Sequence, residues 1–201
     1  MIDYINLPNY NLNDQELEEF LIFSICVANK PAKVIAPRVH NFCEPYRPNV
    51  LRNLKNIDVE SIQQNLKELG IGCHSNKAKC LKFLSNKNLD LKSCTTTDLE
   101  EAPGIGLKTS RFFLGHTRRG FESAILDTHI LKFLKEMGND VPSSTPTNIK
   151  KYMSIENIFI KYAKNMGIST PELDIILWKH YAVERLKEEE WRNLKDRCMR
   201  G

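Results

Sequence analysis

Apolar residues in this chain recur at intervals of three and four, in stretches opened by Ser, Thr, Asn or Asp and closed by Gly or Pro. No stretch alternates long enough to build a sheet, so the pattern specifies an all-α fold. The spacing predicts a first helix over 14–29, where Leu17, Phe20, Leu21, Ser24 and Val27 recur at helical spacing and an acidic first turn suits the helix dipole. Pro31 and Pro37 open or bend a second helix carrying Val34, Val39 and Phe42. A short segment follows at 50–54, then a helix from the N-cap Asp58 to Leu69, ended by Gly70 and Gly72. Ser75 is placed to cap a helix through Leu84, whose basic face carries Lys77, Lys79 and Lys82; that face is either solvated or in contact with phosphate. Further helices are expected near 98–102, over 128–137, over 146–165 and from 171 onward, with Thr145 and Thr170 as N-caps of the last two. The charged tail after Glu184, with Glu188 and Arg192 one turn apart, reads as a solvated terminal helix.

With 201 residues, 41% hydrophobic and 27% charged, the chain fits one domain or two intimately packed subdomains and is excluded from the disordered classes. The longest apolar run, 20–28, is broken by Ser24 and preceded by Asp14, Glu16, Glu18 and Glu19. It is too short to span a bilayer and has the wrong flank for a signal peptide, so a soluble protein, intracellular and away from membranes, is expected. A net charge of +4 permits a polyanionic partner without demanding one. The six cysteines contain no C-x-x-C pair and read as reduced thiols, with neither zinc nor iron-sulfur spacing.

The segment that carries chemistry is Leu99 to Leu114, in which an apolar helix end, a Pro-Gly-Ile-Gly turn and a second helix follow within sixteen residues. This helix-hairpin-helix pattern suits a phosphate. Gly104 and Gly106 turn the backbone tightly, Ile105 plugs between the helices, and the unpaired N–H groups of the next helix point at an anion. Such a hairpin grips a DNA backbone without reading sequence. A bare Pro-Gly-x-Gly is also an ordinary helix-to-helix turn. Two further residues weigh against that. Lys108 lies in the first turn of the second helix, where the dipole disfavours a cation, a poor place for a structural lysine and a good one for an amine that must lose its proton. Asp127 follows nineteen residues later, at the end of the apolar run Ala124–Leu126 and the start of a helix, where it is at least an N-cap.

With these residues the chain resembles the helix-hairpin-helix-GPD superfamily of DNA glycosylases, whose signature joins the hairpin, a catalytic lysine and a later aspartate. The resemblance covers most of the chain and is strongest from Leu99 to Leu134. A lysine at the position of Lys108 marks the lyase-competent members. The iron-sulfur branch is disfavoured, since only Cys198 remains after Trp191, and the chain has no room for an added N-terminal β-domain. It is most similar to the compact prokaryotic and archaeal 8-oxoguanine DNA glycosylase/lyases.

That resemblance implies roles for further residues. Asn29 matches an asparagine that contacts the base opposite the lesion, although Asn is equally a C-cap residue. Lys77 becomes a phosphate or base-edge candidate, and His129 matches a position touching a phosphate near the lesion, with a surface or capping histidine as the alternative. Asp174 and Trp178, one turn apart on one helix face, would bond and stack on a flipped base; Phe112, one turn beyond Lys108, is either the other wall of that pocket or core.

The fold implied is two helical subdomains flanking a DNA cleft, residues 31–115 forming one and 1–30 with 116–201 the other. The activity implied is removal of 8-oxoguanine from duplex DNA through a Lys108 Schiff base assisted by Asp127, followed by β-elimination. No cofactor or metal is called for, the partner is damaged double-stranded DNA, and a cytoplasmic, nucleoid-associated monomer is expected. Two alternatives stay open: the same fold acting on another damaged or mismatched base, and a non-catalytic helix-hairpin-helix DNA-binding module.

Overall fold

The computed structural model describes residues 2–28 and 30–200, and among them every regular element is helical. The chain divides into two compact units, Met1–Thr117 and Arg118–Gly201.

The first unit is built around α1 (Asp14–Cys26), which opens on a capping box: Asn13 accepts from the Glu16 amide at 3.0 Å while Glu16 accepts from the Asn13 amide at 2.8 Å. Every residue from Glu19 to Cys26 is buried, so α1 is a core helix rather than an amphipathic one. It packs against α2 (Ala32–Cys43), α3 (Val50–Leu54), α5 (His74–Lys87) and α7 (Leu107–Thr117). Residues 1–30, expected to join the C-terminal half, therefore belong with the first unit, because an apolar helix needs cover on all sides and α2, α3, α5 and α7 supply it. Glu19, buried in this unit, is held by Arg47 through paired bonds of 2.6 and 3.0 Å, and Arg47 also reaches His40 Nδ1 at 2.8 Å.

α1 ends three residues short of the expected boundary. The amide that would continue it, on Lys30, turns back to the Val27 carbonyl at 2.9 Å, as the approach of Pro31 requires. The Cys26 carbonyl is taken instead by the ammonium of Lys77, at 3.0 Å. Two further α5 lysines do the same for other segments. Lys82 donates to the carbonyls of Lys55 and Ile57, just past α3, at 2.8 and 2.6 Å; Lys87 donates to the Asp98 carbonyl of α6 (Thr96–Glu100) and pairs with Glu101, both at 2.8 Å. The basic face of α5 is thus largely turned inward to satisfy orphan carbonyls at helix ends. α5 itself starts two residues earlier than expected, behind a left-handed Cys73 (φ 55°) rather than on a Ser75 cap, and α4 (Val59–Glu68) starts on Asp58 as expected.

In the second unit, α8 (Thr128–Glu136), α9 (Ile149–Met166), α10 (Thr170–Trp178) and α11 (Glu188–Met199) enclose a core of Phe133, Leu134, Tyr152, Phe159, Leu173 and Leu177. Phe133 meets Phe159, Tyr162 and Trp191 edge-on at 5.8–6.4 Å between ring centres. Each such buried aromatic contributes about 2–3 kcal/mol through removal from water. Two caps differ from expectation. α9 is capped by Asn148, not Thr145, and α10 by Ser169 in a box with Glu172, which leaves Thr170 inside the first turn. The terminal helix is not merely solvated: Leu194 and Cys198 are buried, α11 packs on α9, and Trp191 stacks on His180 at 3.9 Å. His180 lies in a π-helical turn, Lys179–Val183, that directly continues α10. No described helix is long and apolar enough to cross a membrane, and among the described residues no cysteines are joined.

Candidate functional site

In the first unit, α6 and α7 pack together as the predicted hairpin. Thr95 caps α6 in a reciprocal box with Asp98, and a turn over 101–106 reverses the chain. Gly104 sits at φ +94°, a backbone conformation that requires glycine. Ile105, in this turn, is buried, with its amide on the Ala102 carbonyl at 3.1 Å. Gly106 accepts the first helical bond of α7 from Ser110 at 3.1 Å; a Cβ there would meet nothing within 4 Å, so packing inside the chain makes no demand for glycine.

A half-buried polar clasp closes the base of this hairpin. Glu100 of α6 accepts from the Ser110 hydroxyl at 2.6 Å and from the Arg111 guanidinium at 3.3 Å, joining the two helices below the turn. Sequence reasoning missed it; the available signal was that Ser110 and Arg111 lie three and four residues after Leu107, on the side of α7 that carries its buried residues. Lys108 stands half-buried in the first turn of α7, one turn before Phe112. The Phe112 ring stacks on Phe20 at 5.6 Å and meets His116 edge-on at 4.8 Å, so it is anchored to α1 while remaining partly accessible.

Lys77 requires a correction. Expected at a phosphate or base edge, it is only 8% exposed, with its ammonium on the Cys26 carbonyl. A buried charge takes the nearest strong acceptor, and here that is the C-terminal end of α1. Asn29 lies outside the described residues.

In the second unit Asp127 is the N-cap of α8. Its Oδ1 accepts from the amides of His129 at 2.8 Å and Ile130 at 2.9 Å, which fixes the direction of the carboxylate. His129 lies parallel to Tyr181 at 5.8 Å, and the Lys132 ammonium sits 4.5 Å from the centre of that tyrosine ring. Burial, then the neighbouring Glu136, pushes the Tyr181 hydroxyl pKa upward, so it stays protonated. α10 packs on α8 and carries the buried Asp174 and the half-buried Trp178 one turn apart. Asp127 and His129 thus share one helix start, Asp174 and Trp178 share one face of its neighbour, and Gly104, Gly106, Lys108 and Phe112 share the hairpin.

An all-α chain that brings a glycine turn to the head of a lysine-bearing helix falls in the helix-hairpin-helix class. Comparison with known proteins narrows this further: the family profile described as 8-oxoguanine DNA glycosylase matches residues 3–168, and the chain belongs to that family. Among curated relatives, the 8-oxoguanine DNA glycosylase/AP lyase of Thermotoga sp. (strain RQ2) is 32% identical over 136 residues, 61% of this chain and 62% of that one. Its counterpart in Saccharolobus solfataricus is 35% identical over 80 residues, 37% of this chain and 36% of the relative. The matched part therefore spans less than two thirds of these relatives. The fold is that of solved relatives. The 8-oxoguanine DNA glycosylase of Thermotoga maritima superposes with a TM-score of 0.68 at 24% identity, covering 86% of this chain and 83% of that one. The Methanocaldococcus jannaschii 8-oxoguanine glycosylase/lyase, in complex with a 15mer DNA containing 8-oxoguanine, gives 0.63 at 24% identity, over 88% and 86%.

Proposed function

We propose that the protein is a base-excision DNA glycosylase with AP-lyase activity, acting on 8-oxoguanine in duplex DNA. The observation that carries the proposal is the presence in one chain, a member of this family, of Lys108 on the first turn behind the glycine hairpin and of Asp127 fixed as a helix N-cap. Curated relatives bear the same dual name, and one solved relative holds DNA containing the lesion.

The hairpin holds the phosphate backbone. A glycine at 106 that no neighbour within the chain requires is what a closely approaching backbone would need, and the amides at the start of α7 favour an anion. Extrusion of the damaged nucleotide costs a few kcal/mol, offset by these contacts and by Asn29 at the opposite base. His129 takes a phosphate beside the lesion. Asp174 accepts from the purine edge, and Trp178 and Phe112 form the apolar walls.

Asp127 stabilises the positive charge that develops on the deoxyribose and takes a proton from the Lys108 ammonium. The neutral amine attacks C1′, the C1′–N bond breaks, and the base leaves with the bonding electrons. Ring opening gives the imine, and β-elimination from it removes a C2′ proton and breaks the C3′–O bond, the 3′-phosphate leaving with the bonding electrons. The partner is damaged double-stranded DNA, bound by a monomer, which places the protein on the nucleoid in the cytoplasm.

Incubation with duplexes containing 8-oxoguanine, uracil or an abasic site, with borohydride present, tests this beside Lys108→Gln. The expected result is a trapped adduct on 8-oxoguanine that the variant loses while still binding DNA. Trapping on the abasic duplex alone would remove the lesion assignment. No adduct on any duplex, with tight binding by both proteins, would leave a non-catalytic DNA-binding module.

A further inference from the structure

The segment Ser123–Leu126 leads directly into Asp127, is buried, and forms neither helix nor sheet, so its backbone groups must find other partners. Side chains supply them. The Ser123 amide donates to Thr170 Oγ1 at 3.2 Å, and the Ala124 amide to Glu156 Oε1 at 3.0 Å. The Tyr152 hydroxyl donates to the Ala124 carbonyl at 2.7 Å and accepts from the Leu126 amide at 3.2 Å, spanning the segment with one oxygen. Thr145 donates to the Leu126 carbonyl at 2.7 Å, immediately before Asp127. Tyr152 is fully buried and Glu156 nearly so, on one face of α9 a single turn apart.

We infer that Tyr152, with Glu156 and Thr145, forms a clamp that sets the register of this segment and thereby delivers the Asp127 carboxylate to its working position. These are positioning residues: they act through Asp127, and the inference rests on the catalytic reading of that aspartate. The physical ground is that a sheet would fix such a segment through repeated backbone bonds, whereas here four side chains, these three and Thr170, do it, so loss of one bond shifts the segment rather than fraying an edge. Misplacement of a catalytic group by about an ångström costs up to roughly hundredfold in rate.

The test is single-turnover excision from an 8-oxoguanine duplex, with DNA affinity and circular dichroism measured in parallel, on the full chain. Tyr152→Phe keeps the ring and removes both hydroxyl bonds. The expected result is a rate loss of roughly tenfold or more with DNA affinity and helix content retained. In an Asp127→Asn background the same change should add no further loss, because a residue that works only through Asp127 has nothing left to position. A folded Tyr152→Phe protein with the wild-type rate, or a loss that simply multiplies that of Asp127→Asn, overturns the inference. Should Tyr152→Phe fail to fold, Thr145→Val and Thr145→Ser replace it: the valine variant should lose rate and the serine variant recover it, and equal rates in the two overturn the clamp. If Asp127→Asn alone keeps the wild-type rate, the catalytic reading of Asp127 fails, an outcome distinct from failure of the clamp.

Discussion

Replacing Lys77 by Met separates two roles for a lysine that sequence alone cannot tell apart. The substitution keeps the unbranched stem and removes the ammonium. In the structure that group is buried and bonded at 3.0 Å to the Cys26 carbonyl. A hydrogen bond to a charged donor is worth about 1.5–3 kcal/mol, and the carbonyl left without it carries a desolvation cost of similar size. Relief of the buried charge offsets part of this. The net expectation is a loss of about 2 kcal/mol, which for a chain of this length lowers Tm by about 4–8 °C. Thermal unfolding followed by circular dichroism measures it, with Lys79→Met, an exposed neighbour on the same helix, as the control that should leave Tm unchanged. DNA affinity over a salt series provides the second readout. A lysine on a phosphate contributes roughly one unit to the slope of log affinity against log salt, so Lys77→Met should leave that slope intact. An unchanged Tm together with a slope reduced by about one would refute the inward placement and return Lys77 to the DNA backbone.

Other perturbations follow from the same structure. Gly104→Ala meets no steric neighbour, so its cost is that of holding φ +94° with a Cβ, about 1–2 kcal/mol; Tm should fall by a few degrees while gel-shift affinity for duplex DNA falls several-fold. His180 has its pKa lowered by burial, with Arg185 and Lys132 adding to the effect and Glu136 opposing it, and its Nδ1 accepts from the Leu186 amide at 2.9 Å. The folded state therefore favours the neutral ring, so the stability it confers is complete above the unfolded value near 6.5 and declines as pH falls from there toward the lowered folded value. Acidification from pH 7 to 5 should loosen α11 and change the fluorescence of Trp191, which stacks on His180; the change should be absent in His180→Asn.

The hairpin was legible in the sequence because its determinants are local. A glycine needed at positive φ, a buried isoleucine after it and a lysine one turn on lie within a few residues, and backbone sterics fix their arrangement. Asp127 as an N-cap was legible for the same reason. The lysines of α5 were not. Periodicity places Lys77 and Lys82 on a helix, but which side becomes interior depends on α1 and the end of α3, some 25 to 51 residues away in sequence. Thr145 read as a cap because a threonine before a proline usually is one; its hydroxyl is instead drawn to the Leu126 carbonyl, a buried acceptor without a helical or sheet partner. Similarly, the tail read as solvated because its charges outnumber its apolar residues, yet Trp191, Leu194 and Cys198 recur at helical spacing and dock on the second unit.

Sequence by itself determined the all-α class, most helix starts and the helix-hairpin-helix with its lysine and later aspartate, since capping, turn and periodicity rules act over three or four residues. Only the tertiary structure decided which polar groups are turned inward. Lys77, Lys82, Glu100, Tyr152 and Glu156 all have side chains that water would satisfy equally well in an open chain. Burial removes that option, and each then bonds whichever unpaired backbone or side-chain group the packing brings within reach.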